Sequence, residues 1–209
     1  MTEKLIQADK NLFEWLNGHH SGFMDQVMWH ISGKYEWIPL YIILLAYLIY
    51  RYRYKSVPML VAILLAVVAS DQLAVHAFKE VFERLRPSHN PEFANTIHLV
   101  RDYRGGNFGF VSNHAANAFC LAVLLGLIIQ NKYFTIGMLV WASVVAYSRI
   151  YLGVHYPADI LGGAILGAGI GSLFYFLLMK FLSWEWFLKS GFNPESRGEK
   201  DSAIHKAGK

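Results

Sequence analysis

At 209 residues the chain is long enough for one domain rather than two. Hydrophobic residues make up 55% of it and charged residues only 16%, against about 25% in soluble domains, which disfavours a soluble helical bundle and argues for an integral membrane protein. A net charge of +4 without a continuous basic stripe argues against nucleic acid as a partner, and a single cysteine, Cys120, excludes an intrachain disulfide.

No basic segment followed by a long apolar core opens the chain, so no cleavable signal peptide is expected and insertion rests on internal segments. Residues 1–34 read as an N-terminal interfacial segment or a partial sixth span. Leu5, Ile6, Leu12, Phe13, Trp15 and Leu16 can share one helical face, with Glu3, Lys4, Asp9, Lys10 and Glu14 mostly elsewhere. Asn17 to Gly22 reads as a turn. A short helix from Phe23 to Ile31 carries Asp25 and His30.

Five spans follow within a transmembrane domain at 35–182, an all-α helical bundle. The first runs from Tyr35 to Tyr50, with Pro39 in its opening turns, where a missing N–H costs little. The second runs from Val57 to Phe78. A long polar connection from Lys79 to Val111 comes next, of the kind that is usually functional or disordered. The remaining spans are His114–Ile129, Tyr133–Ser148 and Ala158–Phe181. Gly163, Gly167 and Gly171, at four-residue spacing in the last, let helix backbones approach closely in lipid, more readily within the monomer than across a dimer. Trp184 and Trp186 suit an interfacial belt. Residues 183–209 form a charged tail, read as disordered from 190 onward.

Five spans put the Lys79–Val111 connection and the Ser148–Asp159 segment on one side of the membrane. Lys and Arg number ten on the tail side and nine on the other. Setting aside Lys79, Arg86 and Arg149 as site residues leaves ten against six, which makes the tail side cytoplasmic. The polar clusters then face outward.

Three polar clusters carry the chemistry. Lys79 closes the second span and Arg86 precedes Pro87; a helix continuing past Lys79 would set both cations on one face, suited to an anion. An ordinary basic juxtamembrane segment is the alternative. Ser112, Asn113 and His114 stand at the start of an apolar helix. Unpaired N–H groups there form a ready anion site, although Ser112 or Asn113 can equally be a plain N-cap. A protonated His114 facing a phosphate is poised as a general acid. His155 and Asp159 are four residues apart, with Pro157 between them to start a helix. The carboxylate can fix one imidazole nitrogen and leave the other as a nucleophile, while Arg149 holds the same phosphate.

Lys79-x6-Arg86-Pro87, Ser112-x-His114 and Ser148-Arg149-x5-His155-x3-Asp159 resemble the three signature motifs of the type 2 phosphatidic acid phosphatase (PAP2) superfamily. In particular, the chain resembles short bacterial membrane members of that superfamily, including the undecaprenyl pyrophosphate phosphatases and phosphatidylglycerophosphate phosphatase B. The second motif departs from the family's Pro-Ser-Gly-His, reading Val111-Ser112-Asn113-His114.

The resemblance implies a membrane lipid phosphatase. His155 attacks phosphorus to form a phosphohistidine, oriented by Asp159, and His114 protonates the leaving group. Lys79, Arg86, Arg149, Ser112 and Asn113 bind the phosphate. It implies no cofactor and no metal, and the sequence holds no carboxylate cluster suited to Mg²⁺. The substrate expected first is undecaprenyl pyrophosphate; phosphatidylglycerophosphate, phosphatidic acid and lipid A phosphate are the alternatives. A non-catalytic lipid- or anion-binding protein, or a transporter, is the reading from another class.

Asp71 and Gln72 interrupt the second span and are expected to pair with a neighbouring helix. Gly105 to Gly109 reads as turn geometry rather than a phosphate cradle. His89, His98, Arg101 and Arg104 are candidates for the entrance. His19, His20 and His30 lack a metal-binding spacing.

Overall fold

The computed structural model describes residues 2–93 and 96–189. The expected disorder of 190–209 lies outside the described residues, as do the side chains of Trp184 and Trp186. Residues 1–175 form one compact unit and 176–209 a second, of which the described part is a helix end.

Among the described residues there is no β-strand, only an isolated bridge between Leu85 and Phe108. Seven principal helices follow one another: α1 (Thr2–Gly18), α2 (Gly22–Ser32), α3 (Ile38–Tyr52), α4 (Ser56–Leu73), α5 (Asn113–Ile129), α6 (Lys132–Tyr151) and α7 (Pro157–Lys189). Their ends follow from local chemistry. Ser21 Oγ caps α2 by accepting the Met24 N–H, and Asn131 Oδ1 caps α6 by accepting the Tyr133 and Phe134 N–H groups. Gln130 ends α5 in the left-handed region at φ 55.

Ile38–Phe82, Lys132–Tyr151 and Pro157–Ser183 are long and apolar enough to cross a membrane, and Asn113–Ile129 is a shorter apolar helix. The first stretch is itself two helices, broken where Arg53 takes φ 50. Ile43, Leu64, Leu161 and Ile165, on these long apolar helices, are each more than half exposed. A water-facing surface of that kind would aggregate, whereas hydrocarbon accepts it, so the protein is an integral membrane protein.

The glycine strip packs within the chain. A Cβ on Gly167 would lie 2.0 Å from the Ala116 carbonyl oxygen, and one on Gly171 would lie 2.6 Å from that of Cys120. Helix α7 therefore lies backbone-to-backbone against α5, whose facing residues Ala115, Ala116 and Cys120 are equally small.

One expectation needs correction. The helix beyond α4 continues only as a π turn, Ala74–Lys79, and a last turn, Glu80–Phe82. Glu83 at φ 45 ends it, so Lys79 and Arg86 do not share a helix face. Arg86 is extended, as a residue before proline tends to be, and its N–H donates to the Asn107 carbonyl at 3.0 Å. Among its described residues the long connection carries short 3-10 turns at Pro87–His89, Pro91–Phe93 and Val100–Asp102.

Helix α1 is more than an interfacial helix. Phe13 is fully buried against Phe93, Ile150 and Tyr156, while Leu5 and Trp15 stay exposed. Asn17, also buried, bonds the backbone of His98 on both sides and donates to the Tyr151 carbonyl at 2.9 Å. A second cluster of Met28, Val100, Tyr151, Leu152 and Val154 ties α2 to the end of α6. These two clusters set the polar connection over the ends of α6 and α7.

Candidate active site

One cavity of about 450 Å³ is lined by Lys79, Arg86, Asn113, His114, Arg149 and His155 together. The three clusters, spread over 77 residues from Lys79 to His155, therefore meet at one point. Lys34, Trp37, Tyr41, Asp71, Tyr103, Asn117 and Trp141 complete the wall. An apolar cleft between α3, α4 and α5, lined by Leu44, Leu48, Leu60, Leu64, Val67 and Leu121, shares Tyr41 and Asn117 with it.

His155 lies in the short turn between α6 and α7 and is 1% exposed. Its Nδ1 lies 3.4 Å from Asp159 Oδ2, one turn into α7, and its ring also bonds the Gly109 backbone. Burial, then the charges of Arg86, Arg149 and Lys79, hold its imidazole well below the usual histidine range, so it is neutral near pH 7. Asp159 is fully buried and does not line the cavity. Its Oδ2 also accepts the Tyr156 N–H at 3.0 Å, and its Oδ1 accepts from Arg84 at 2.8 Å.

Gly109 explains part of the glycine-rich segment. A Cβ there would fall 2.9 Å from Asp159 Oδ2 and 3.6 Å from His155 Nδ1. Only a residue without a side chain lets the connection pass this close to the His–Asp pair.

The cations are oriented by neighbours that neutralise little of their charge. Arg86 is buried, donates from Nε to the Phe108 carbonyl at 3.0 Å, and has no partner for Nη1 among the described residues. Burial and then Arg149 lower its affinity for its proton. Arg149, also buried, donates to Ser32 Oγ and, at 3.3 Å, to the Tyr103 hydroxyl, and its Nε has no partner among the described residues. Burial raises the pKa of that phenol, but the hydrogen bond and charge of Arg149, with Arg86 and Lys34 behind, outweigh it and leave the value below the ordinary one. Among the described residues no carboxylate pairs directly with either arginine, which leaves positive charge in the cavity suited to an oxyanion.

Lys79 donates to Asn113 Oδ1, and the Asn113 amide nitrogen donates to Asp71 Oδ1 at 2.7 Å. Asp71 also accepts from Asn117 at 3.2 Å, so it pairs with α5 as expected of a carboxylate within a span. Ser112 is not on the cavity wall. It is the N-cap of α5, its Oγ accepting the Ala115 N–H at 3.4 Å and its own N–H bonding the Asp159 carbonyl at 3.0 Å.

The other loop residues point to loop packing instead. His98 pairs with Asp25 at 2.8 Å, Arg104 bonds the Ser88 carbonyl, Arg101 covers Trp29, and His89 contacts Ser88. None of the four lines the cavity. Among the described residues no group of His, Cys, Asp or Glu is arranged to hold a metal.

Sequence reasoning passed over Arg84, Asp9, Lys34, Tyr103 and the aromatic wall. Arg84 forks between Asp159 and Asp9, at 2.8 and 2.6 Å, and its guanidinium lies 4.1 Å from the centre of the Tyr156 ring. Burial opposes its charge, but the two carboxylates more than offset this and raise its pKa. The signal was present in the charge alternation Glu83-Arg84-Leu85-Arg86, where two arginines in an extended segment flank one leucine and must emerge on the same side.

Comparisons with known proteins bear on this arrangement. A family model described as the PAP2 superfamily matches residues 60–182. A lipid A 4'-phosphatase of Bacteroides thetaiotaomicron is 40% identical over 86% of this chain and 81% of its own length. An undecaprenyl-diphosphatase of Sulfolobus acidocaldarius is 29% identical over 81% of each. The crystal structure of a transmembrane PAP2-type phosphatidylglycerolphosphate phosphatase from Bacillus subtilis superposes with a TM-score of 0.60. It is 26% identical and covers 86% of this chain and 87% of that one.

Proposed function

The chain belongs to the PAP2 superfamily and is a phosphoric ester hydrolase, and from that premise we propose that it removes a phosphate monoester from a lipid A-type substrate. The observation that carries the chemistry is the single cavity shared by His114, His155, Lys79, Arg86 and Arg149. Identity favours the substrate: the lipid A 4'-phosphatase relative stands at 40% against 29% for the undecaprenyl-diphosphatase. Lipid A phosphate thus replaces undecaprenyl pyrophosphate as the leading reading. The cavity also leaves room beyond the phosphate-binding cations, walled by Trp37, Tyr41 and Trp141, for a bulky leaving group.

In the proposed reaction the neutral His155 attacks phosphorus with its free ring nitrogen. The bond from phosphorus to the leaving oxygen breaks as His114 delivers its proton to that oxygen, freeing the dephosphorylated lipid as an alcohol. A phosphate among these cations also favours the imidazolium form of His114 that this step requires. A water then attacks the phosphohistidine, giving its proton to His114, and inorganic phosphate leaves. Lys79, Arg86 and Arg149 neutralise the equatorial oxygens as charge spreads over them. Asn113 acts through Lys79, and Ser112 by starting α5 where His114 faces the cavity.

The five-span topology, the bacterial inner membrane and an outward-facing cavity complete the proposal, supported by the excess of basic residues on the tail side. The test is phosphate release in detergent from a lipid A phosphate and from undecaprenyl pyrophosphate, by wild type and by His155→Ala. Preferential release from lipid A by wild type alone is the expected result. Equal release by the two proteins would reject the catalytic assignment, and faster release from undecaprenyl pyrophosphate would reverse the substrate order.

A further inference from the structure

We propose that Asp9 and Arg84 are positioning residues for the reaction, and that helix α1 is through them a working part of the active site. The inference rests on the assignment of His155 and Asp159 as the nucleophile and its orienting carboxylate.

The contacts form a closed loop. Arg84 Nη1 donates to Asp159 Oδ1 at 2.8 Å and its Nη2 donates to Asp9 Oδ2 at 2.6 Å. The other oxygen of Asp9 accepts the Ala158 N–H at 2.8 Å, on the residue just before Asp159. Asp9 thus grips both the backbone beside Asp159 and the guanidinium bound to its side chain. With Oδ1 held by Arg84, the Asp159 carboxylate is turned so that Oδ2 faces His155 Nδ1 and the Tyr156 N–H. Tyr156, next to His155, contacts both the Arg84 guanidinium and Phe13 of α1, the two rings 5.4 Å apart.

Charge explains why both residues are needed. Asp159 is a fully buried carboxylate, and Arg84 is the cation that makes its ionised form tolerable there. Arg84 is long and flexible, and a phosphate bound in the neighbouring cavity would attract its guanidinium. Among the described residues Asp9 is the hydrogen-bond partner of the second arm of the guanidinium, and without it a bound phosphate competes with Asp159 for that arm. Asp9 keeps Arg84 on the carboxylate side of His155, and Arg84 does not line the cavity.

The test is steady-state phosphate release by the full-length protein in detergent, from whichever lipid phosphate the wild type turns over best, comparing Asp9→Asn, Arg84→Gln, their double variant, Lys10→Ala and His155→Ala. Lys10 lies on the same helix but pairs with Glu92, away from the site. Asp9→Asn and Arg84→Gln are expected to lower kcat about 10- to 100-fold with KM within about twofold of wild type, the pattern of a lost orienting contact. The double variant should lose no more than the worse single variant, and Asp9→Glu should recover part of the rate.

A kcat for Asp9→Asn equal to wild type, a loss confined to KM, or an equal fall in Lys10→Ala would overturn the proposal. Should Arg84→Gln not fold, Asp9→Asn and Asp9→Glu carry the test alone. An inactive His155→Ala beside a fully active Asp9→Asn rejects the bridge only, whereas an active His155→Ala rejects the underlying histidine assignment and the bridge with it.

Discussion

Asn113 donates its side-chain amide to Asp71 at 2.7 Å across 42 residues of sequence, and on its other face accepts a hydrogen bond from Lys79. The amide stands between a cation and a carboxylate that would otherwise pair, and so keeps the Lys79 ammonium directed at the cavity. Where the family's second motif has glycine, this chain has a side chain that reaches the first motif. Asn113→Ala is expected to lower kcat/KM about tenfold, roughly one lost hydrogen bond to a charged group, mainly through KM. Asp71→Asn should show a smaller loss in the same steady-state assay.

The two histidines are expected to separate by leaving group. His155→Ala abolishes turnover of every substrate. His114→Ala lowers turnover of a lipid phosphate by about 10²–10⁴-fold but much less for p-nitrophenyl phosphate, whose leaving group needs no proton. Rapid-quench trapping of an alkali-stable phosphoenzyme, present in His114→Ala and absent in His155→Ala, checks both roles.

Acid should weaken the fold through His155. Its pKa is depressed in the folded protein, so the unfolded chain takes up the proton first as pH falls below about 6.5. The stability this group contributes is therefore present above that pH and is lost as pH drops from there toward the folded value. Thermal unfolding in detergent at pH 7.5 and pH 5 should show a smaller acid destabilisation for His155→Gln than for wild type. Because kcat/KM reports the free enzyme, its acidic limb for the nucleophile should also lie below the ordinary histidine range.

Helix α7 offers a paired packing test. Gly167→Ala places a methyl 2.0 Å from the Ala116 carbonyl oxygen, whereas Gly169→Ala meets nothing within 4 Å. The first should lose about 1–3 kcal/mol of stability as α5 and α7 are forced apart, and the second should change little. Unfolding midpoints of the two variants in one detergent give the comparison.

The helices were legible because hydrophobic runs in this chain are long and end at recognisable caps such as Ser112, Asn131 and Pro157. The residues that line the cavity, Lys79, Arg86, His114, Arg149 and His155, were legible because their spacing matches three motifs of one superfamily, not because any of them is distinctive alone. Arg84 and Asp9 were not, since nothing local distinguishes an arginine that forks between two carboxylates from one on a basic surface. The left-handed turn at Glu83 hid from the pattern as well: it leads directly into Leu85, whose bridge partner Phe108 lies 23 residues away in sequence. Asp9 looked peripheral because helical periodicity sees one apolar face, while α1 is anchored by polar groups that dock on another.

The apolar cleft that joins the cavity at Tyr41 and Asn117 changes what concentration means for this enzyme. A lipid that slides in sideways between α3 and α5 never crosses water, so encounter takes place in two dimensions. Diluting the target with inert lipid at constant total target should slow turnover, and adding buffer should not.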